Sequence, residues 1–382
     1  MIIFEKDNLG RTFVEIVIKN AGSAFTKDGV AYFLSHIFNT KGSLSKKEKF
    51  YSILESDAIE FHSSVNKEFF TITIRFLNSK SKKALKLLEE IITDLNITEE
   101  SFTKSKEEIK AKIQNKQNDN DYIASKNLFK VIFKNTPLSY PTMGEDIENI
   151  TLNDIENFYK NLFEKEITII NGGKKTDVKQ IINLFKNKKE TTPFYRPKKN
   201  EYIIENKQVE QSYIHFAAPF DVDYKNELHL AKIATFILGA GGFGSRMMEE
   251  IRVKRGYAYS AYTTNNFKKT YKLLNGYLQT KLENKDDAIN LVEKLINEFY
   301  ENGITEDELS QAKQFLIGSE PLRNETLSQR LLKKFNIDYI GLDEDYYEKE
   351  LKLIENVTTD EVNSFIKSHP EIKELTFSIV TK

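Results

Sequence analysis

Thr151-Leu-Asn-Asp-Ile-Glu-Asn-Phe158 and Thr358-Thr-Asp-Glu-Val-Asn-Ser-Phe365 are two versions of one stretch, 207 residues apart. Each reads as a helix start, with Thr as the N-cap and acids in the first turn. Ile97-Thr-Glu-Glu100 and Ile304-Thr-Glu-Asp307 stand in the same relation, again 207 residues apart. One such match is weak, because caps recur by chance. Two at one offset indicate that the chain repeats itself once.

The surroundings of the two copies agree. An amphipathic helix at Ala84–Leu95 precedes the first, and one at Ala288–Phe299 precedes the second. A strand follows each, at Ile167–Ile170 and Leu375–Val380. Phe13–Ile18, Phe69–Phe76, Ser212–Ala217, Tyr257–Thr263 and Leu274–Thr280 are further strand-like runs, rich in β-branched and aromatic residues. Strands and helices interleave in unequal order, which favours an α+β fold over a doubly wound parallel sheet. The expectation is two homologous α+β domains, each a mixed or antiparallel sheet with helices packed on one face. The proline-bearing stretch Thr191–Asn200 lacks apolar periodicity and reads as a linker. The boundary falls near residue 195, giving domains 1–195 and 196–382.

Composition narrows the function classes. The 382 residues exceed the ~250–300 that one hydrophobic core supports. Acids number 57 and Lys plus Arg 56, a balance that argues against a basic face for nucleic acid. With no cysteine, thiolate metal sites, disulfides and a Cys nucleophile are excluded. No apolar run approaches the ~20 residues of a membrane span. The N-terminus turns charged at Glu5 and has no signal-peptide pattern, so a cytoplasmic location without membrane contact is expected. Only eight arginines are present, and three of them, Arg246, Arg252 and Arg255, fall within ten residues.

Gly239, Gly241 and Gly244 satisfy G-x-G-x-x-G. A dinucleotide site needs a strand before this motif and an acid ~20 residues after it. Here the upstream residues Leu228–Ile237 look helical, and no acid occurs between Arg252 and Asn275. The nucleotide reading is therefore set aside.

Gly29-Val-Ala-Tyr-Phe-Leu-Ser-His36, followed by Asn39-Thr-Lys-Gly-Ser43, resembles the zinc helix and K-G-T-like turn of the pitrilysin/insulinase metallopeptidases. Asn135-Thr-Pro-Leu-Ser-Tyr-Pro-Thr-Met-Gly144 is similar to the family's H-P-L-x-x-P-x-x-G turn. Ser245, Arg246, Arg252, Gly256 and Tyr259 match its S-R-x-x-x-x-x-R-x-x-x-G-x-x-Y pattern. With the duplication, the likeness covers essentially the whole chain.

The resemblance implies a zinc motif that has decayed. Tyr32 stands at the first ligand position, Ser35 at the general base, and only His36 is kept. In the helix Phe102–Ile113 the supporting acid becomes Ser105 and the third ligand becomes Lys112. No metal is expected in this chain, since one imidazole is not a chelate and an ammonium repels Zn²⁺.

The family's second half implies a different fate for the other motif. Arg252 and Tyr259 would reach the zinc half of the active enzyme and bind the substrate backbone in the transition state. A guanidinium and a phenol are preorganised donors for a carbonyl gaining charge. Gly239, Gly241, Gly242, Gly244 and Ser245 would form a substrate-contacting loop. Ser63 and Ser64, in Glu60–Phe70, would lie on an edge strand to which an extended peptide adds. His62 could be read as a catalytic base, but a lone His near Ser reads more simply as a surface residue; His215, His229 and His369 have no partner at ligand spacing.

The expectation is therefore a non-zinc, substrate-binding subunit, inactive alone. Its partner would be a zinc-bearing paralogue, and the pair a heterodimeric metallopeptidase for unfolded peptides with Arg252 and Tyr259 supplied in trans. The alternative is a non-catalytic homologue, either a structural scaffold or a peptide-binding homodimer.

Overall fold

The computed structural model describes residues 1–382. The first half runs β1 (Ile2–Lys6), β2 (Arg11–Lys19), α1 (Val30–Thr40), α2 (Lys49–Ser56), β3 (Glu60–Val65), β4 (Phe69–Leu77), α3 (Ser81–Thr93), α4 (Glu99–Lys116), α5 (Asn120–Ile132), α6 (Leu152–Leu162), β5 (Ile167–Gly173) and α7 (Lys179–Asn183). The second runs β6 (Ile203–Asn206), β7 (Gln211–Pro219), α8 (Leu228–Thr235), β8 (Ala258–Phe267), β9 (Lys272–Lys281), α9 (Lys285–Asn302), α10 (Glu306–Gly318), α11 (Leu327–Ile340), α12 (Tyr346–Asn356), α13 (Thr359–Ser368) and β10 (Thr376–Thr381).

The repeated threonines do what their sequence implies. Thr151 caps α6 with Asp154, Thr305 caps α10 with Glu308, and Thr358 caps α13 with Glu361, each as a reciprocal capping box. At the start of α4 the exchange is between Thr98 and Ser101 instead, through backbone N–H groups and hydroxyls at 2.9 and 3.2 Å.

Each half builds a five-stranded sheet of the same topology, in the orders β1-β5-β2-β4-β3 and β6-β10-β7-β9-β8. β1 pairs parallel with β5, and β6 parallel with β10; the other pairings are antiparallel. The sheets are therefore mixed, and the fold is α+β. β1 and β6 escape sequence reading because five and four residues are too few to show a period.

One face of each sheet carries the main helix layer. Val14, Ile16, Ile18, Phe70, Ile72 and Ile74 belong to the first core; Ile214, Phe216, Leu278, Phe377 and Ile379 to the second. The reverse face of each sheet is not bare. In the first, Phe335 of α11 packs on Phe69 with ring centroids 5.4 Å apart, and Arg330 reaches Glu5 at 2.5 Å. In the second, Ile123 and Ala124 of α5 pack with Val380, and Asp121 bonds His215 at 2.8 Å.

These two helices are themselves repeats, beginning at Asn120 and Leu327, 207 residues apart. Each covers the sheet of the other half. One compact unit is thus residues 1–116, 140–192 and 324–336, and the other 117–139, 193–323 and 337–382.

Candidate functional site

Two places bear the residues singled out in the sequence. The first is the corner where α1 meets α4. Tyr32 is half-buried on α1, and burial pushes its phenol up. Ser35 is buried and its Oγ accepts from Ser63 Oγ at 3.0 Å. His36 is only 5% exposed. Its Nε2 lies 2.6 Å from Glu108 Oε2, and Lys112 Nζ lies 3.2 Å from its Nδ1. Lys41 closes the circuit on Glu108 Oε1 at 2.7 Å.

The chemistry assigns the tautomer. An ammonium only donates, so Nδ1 accepts from Lys112 and Nε2–H donates to Glu108. His36 is therefore neutral. Burial pushes its pKa below the ordinary value; Lys112 and Lys41 act the same way, and Glu108 opposes them. Burial would raise Glu108, but its bonds from Lys41 and His36 hold the carboxyl below the usual range.

This set does not fit zinc. Both imidazole nitrogens are engaged, the other donors are a phenol and a hydroxyl, and an ammonium lies 3.2 Å from the remaining nitrogen. No group of three or more His, Asp and Glu residues is placed to hold a metal.

The neighbouring edge strand is partly closed. β3 is the outer strand of its sheet. Ser64 is exposed and exchanges a hydroxyl bond with Thr71 at 2.6 Å. Ser63 points inward and is buried. Its backbone N–H donates to Asn39 Oδ1 at 2.7 Å, and its carbonyl accepts from Asn39 Nδ2 at 2.8 Å. The Asn39 amide thus takes the place a neighbouring strand would occupy at Ser63.

The second place lies in the other unit. After α8 the chain widens into a π-helical turn at Phe236–Ala240, then a single 3₁₀ turn at Gly242–Gly244. The glycines differ in purpose. A Cβ on Gly239 would lie 2.4 Å from Thr263 N, so Gly239 lets this turn approach β8. Gly241 is similarly close to Phe236 O, at 2.9 Å. Gly242 adopts φ +63°, and neither it nor Gly244 has a neighbour within 4 Å of a Cβ. Ser245 is buried and its hydroxyl donates to Gly242 O at 2.7 Å.

The three clustered arginines also separate. Arg246 grips both oxygens of Glu308 at 2.6 and 2.7 Å and packs over Phe299, a structural clamp. Arg255 takes Glu250 at 2.6 Å, as does Lys254. Arg252 has no carboxylate or carbonyl of the chain within bonding distance of its guanidinium. It stacks instead, 4.6 Å from the Phe243 ring centre and 4.3 Å from that of Tyr259.

Local structure explains this placement. Arg252 sits on a second π-helical turn, Met248–Val253, closed by Gly256 N–H on Arg252 O at 2.9 Å. Tyr259 lies in a bulge of edge strand β8, where Ala258 pairs with Thr280 but Ala261 pairs with Leu278. Ala258 and Ala261 face the core, and the extra residue turns Tyr259 outward, 82% exposed. Phe243 is 66% exposed.

Three participants were not singled out from sequence. Glu108 has a signal in hindsight, since it precedes Lys112 by one helical turn. Asn39 and Phe243 have none, because their partners are fixed by tertiary packing. Two histidines also acquire partners: His215 takes Asp121, and His369 takes Glu371 at 2.7 Å.

Comparison with known proteins gives the same family as the sequence motifs. Residues 5–146 match the model described as insulinase, peptidase family M16, and residues 149–316 that of the peptidase M16 inactive domain. The chain is 36% identical over 396 residues to a Helicobacter pylori protein described as non-peptidase homolog YmxG, covering all of this chain and 91% of that one. It is 22% identical over 317 residues to a Bacillus subtilis protein described as an uncharacterized zinc protease, covering 80% and 76%. The crystal structure of a peptidase M16 inactive domain from Pseudomonas fluorescens superimposes with TM-score 0.87 at 20% identity, covering 100% and 94%.

Proposed function

The chain belongs to the insulinase family of peptidases, M16, as a member whose zinc site has degenerated; from that premise we propose that it is the non-zinc, substrate-binding subunit of a two-chain metallopeptidase acting on unfolded peptides. The observation that carries the proposal is Arg252. Its guanidinium lies against two rings and is bonded to nothing in its own chain. A scaffold has no need of such a group. Tyr259, turned outward by its bulge, adds a phenol donor beside it. Together they suit a peptide carbonyl that gains negative charge as it is attacked.

The corner of His36, Glu108, Lys41 and Lys112 cannot activate water, so the chain is inactive alone. Zinc belongs to the partner, a paralogue of similar size. The partner's active site would receive Arg252 and Tyr259 in trans.

The test is reconstitution. The chain is co-expressed with a zinc-bearing paralogue and assayed on a quenched fluorescent peptide library. Chelator-sensitive turnover should appear only with both chains present. Turnover by the partner alone at the same rate would make this chain a scaffold. Turnover by this chain alone would overturn the reading outright.

A further inference from the structure

The arginines of this chain show what their guanidinium groups bind. Arg246 holds Glu308 through both carboxylate oxygens, Arg330 and Arg196 hold Glu5 and Asp221 through Nε, and Arg255 holds Glu250. Arg252 shares their chemistry but has no such partner. Its neighbourhood offers none, because Glu250 is already shared by Lys254 and Arg255.

The geometry around it is selective. Phe243 and Tyr259 lie at stacking distance from the guanidinium and do not pack on each other. Both rings lie against the guanidinium, and its N–H rim meets no acceptor of the chain. A rim of coplanar donors is best matched by a planar acceptor with two oxygens. The rings also displace water beside the cation, which strengthens a charged contact relative to a neutral one. A peptide carbonyl, even as it gains charge, offers one oxygen and uses only part of that rim, which leaves N–H donors for a second acceptor.

We propose that Arg252, beside Phe243 and Tyr259, is a seat for a carboxylate of the bound peptide, so that the subunit selects peptides bearing one. This rests on the peptide-binding reading above and adds a substrate class to it. Two sources share the chemistry: the peptide's C-terminal carboxylate and an Asp or Glu side chain. Phe243 stands between Gly242, at φ +63°, and Gly244, neither hindered by a neighbour. That pair of glycines lets the ring adjust over whichever carboxylate enters.

The experiment uses the full chain and one unstructured fluorescent peptide in three forms. The first has a C-terminal amide and no acid. The second has a free C-terminus. The third is amidated with one Gln→Glu change. Binding is read by anisotropy. One or both carboxylate forms should bind about tenfold or more tightly than the neutral form, as a charge-assisted pair implies. Which of the two gains identifies the source. The gain should shrink as salt rises.

Arg252→Gln should abolish the gain, Arg252→Lys should reduce it, and Phe243→Ala should weaken it while the chain stays folded. If all three peptides bind equally and Arg252→Gln changes nothing, the carboxylate seat is wrong and peptide binding survives. If none binds, both are wrong.

Discussion

Around His36, four polar side chains close on one another; around Arg252, a cation lies against two rings and its donors meet no acceptor of the chain. Both places descend from one duplicated plan, with the same strand order in each half. They have diverged in opposite directions. When a metal ligand set decays, its buried remnant must find partners inside the chain, because an unpaired buried imidazole is costly. Lys112 and Glu108 supply them. A half-buried guanidinium that water still reaches carries less of that penalty, so it can stay without a partner in its own chain. The difference shows where the zinc chemistry has been lost and, on the function proposed above, where binding would be kept.

The comparison would break most visibly at Arg252. In the reconstituted complex, Arg252→Lys and Tyr259→Phe should each lower kcat by up to roughly 10²–10³, the cost of one oxyanion donor in a protease. Size-exclusion must first show normal assembly. Unchanged kcat and KM would make the open rim an ornament of folding.

Gly239→Ala asks whether that glycine is packing or binding. Its Cβ would lie 2.3 Å from Thr263 Oγ1 and 2.4 Å from Thr263 N. Overpacking of this kind costs about 1–3 kcal/mol, visible as a lower Tm in the chain alone. A silent change would return Gly239 to the ligand-contacting loop.

Glu108→Gln tests the engaged corner. It leaves Lys41 without a counter-charge and gives the His36 Nε2–H a neutral acceptor. The expected loss is about 1 kcal/mol, near the low end because the carboxylate is 44% exposed and screened. In the same corner, elemental analysis after dialysis against chelator should find far less than one zinc per chain. Stoichiometric zinc would mean that Lys112 can be displaced.

The smallest effect is expected at His369, an engaged group in the unit that holds Arg252. Glu371 lies 2.7 Å from its Nδ1 and Glu227 3.6 Å from its Nε2. Burial alone would lower its pKa, but these carboxylates raise it above 6.5. Its stabilising share is therefore complete below about 6.5 and lost as pH rises through the folded value. Burial likewise opposes Glu371, whose bonds to His369 and the Asp221 N–H nevertheless depress its pKa; its share is lost as pH falls through that lower value. Denaturant midpoints across pH should decline on the alkaline side, and His369→Gln should flatten that decline. An identical curve in the variant would leave His369 without a role.

How much could be read beforehand depends on the range of each interaction. The capping boxes at Thr151, Thr305 and Thr358 span three residues, so their sequence displays them whole. β2, β4, β7 and β9 are nine or ten residues long and betray their period. The decay of the zinc motif is equally plain, because Tyr32, Ser35 and Lys112 carry the wrong atoms wherever they sit. These are matters of local pattern and chemical identity, and the sequence by itself determines them.

Tertiary structure alone decided the rest. That α5 covers β7 and β10 while α11 covers β1, β4 and β5 depends on contacts far apart in the chain, for which an amphipathic helix carries no address. That Asn39 seals Ser63, and that Arg246 is engaged while Arg252 is not, are likewise decided by what the fold brings near. Three arginines within ten residues look alike in one dimension. A salt bridge or its absence is a property of distance in space, and only folding sets that distance.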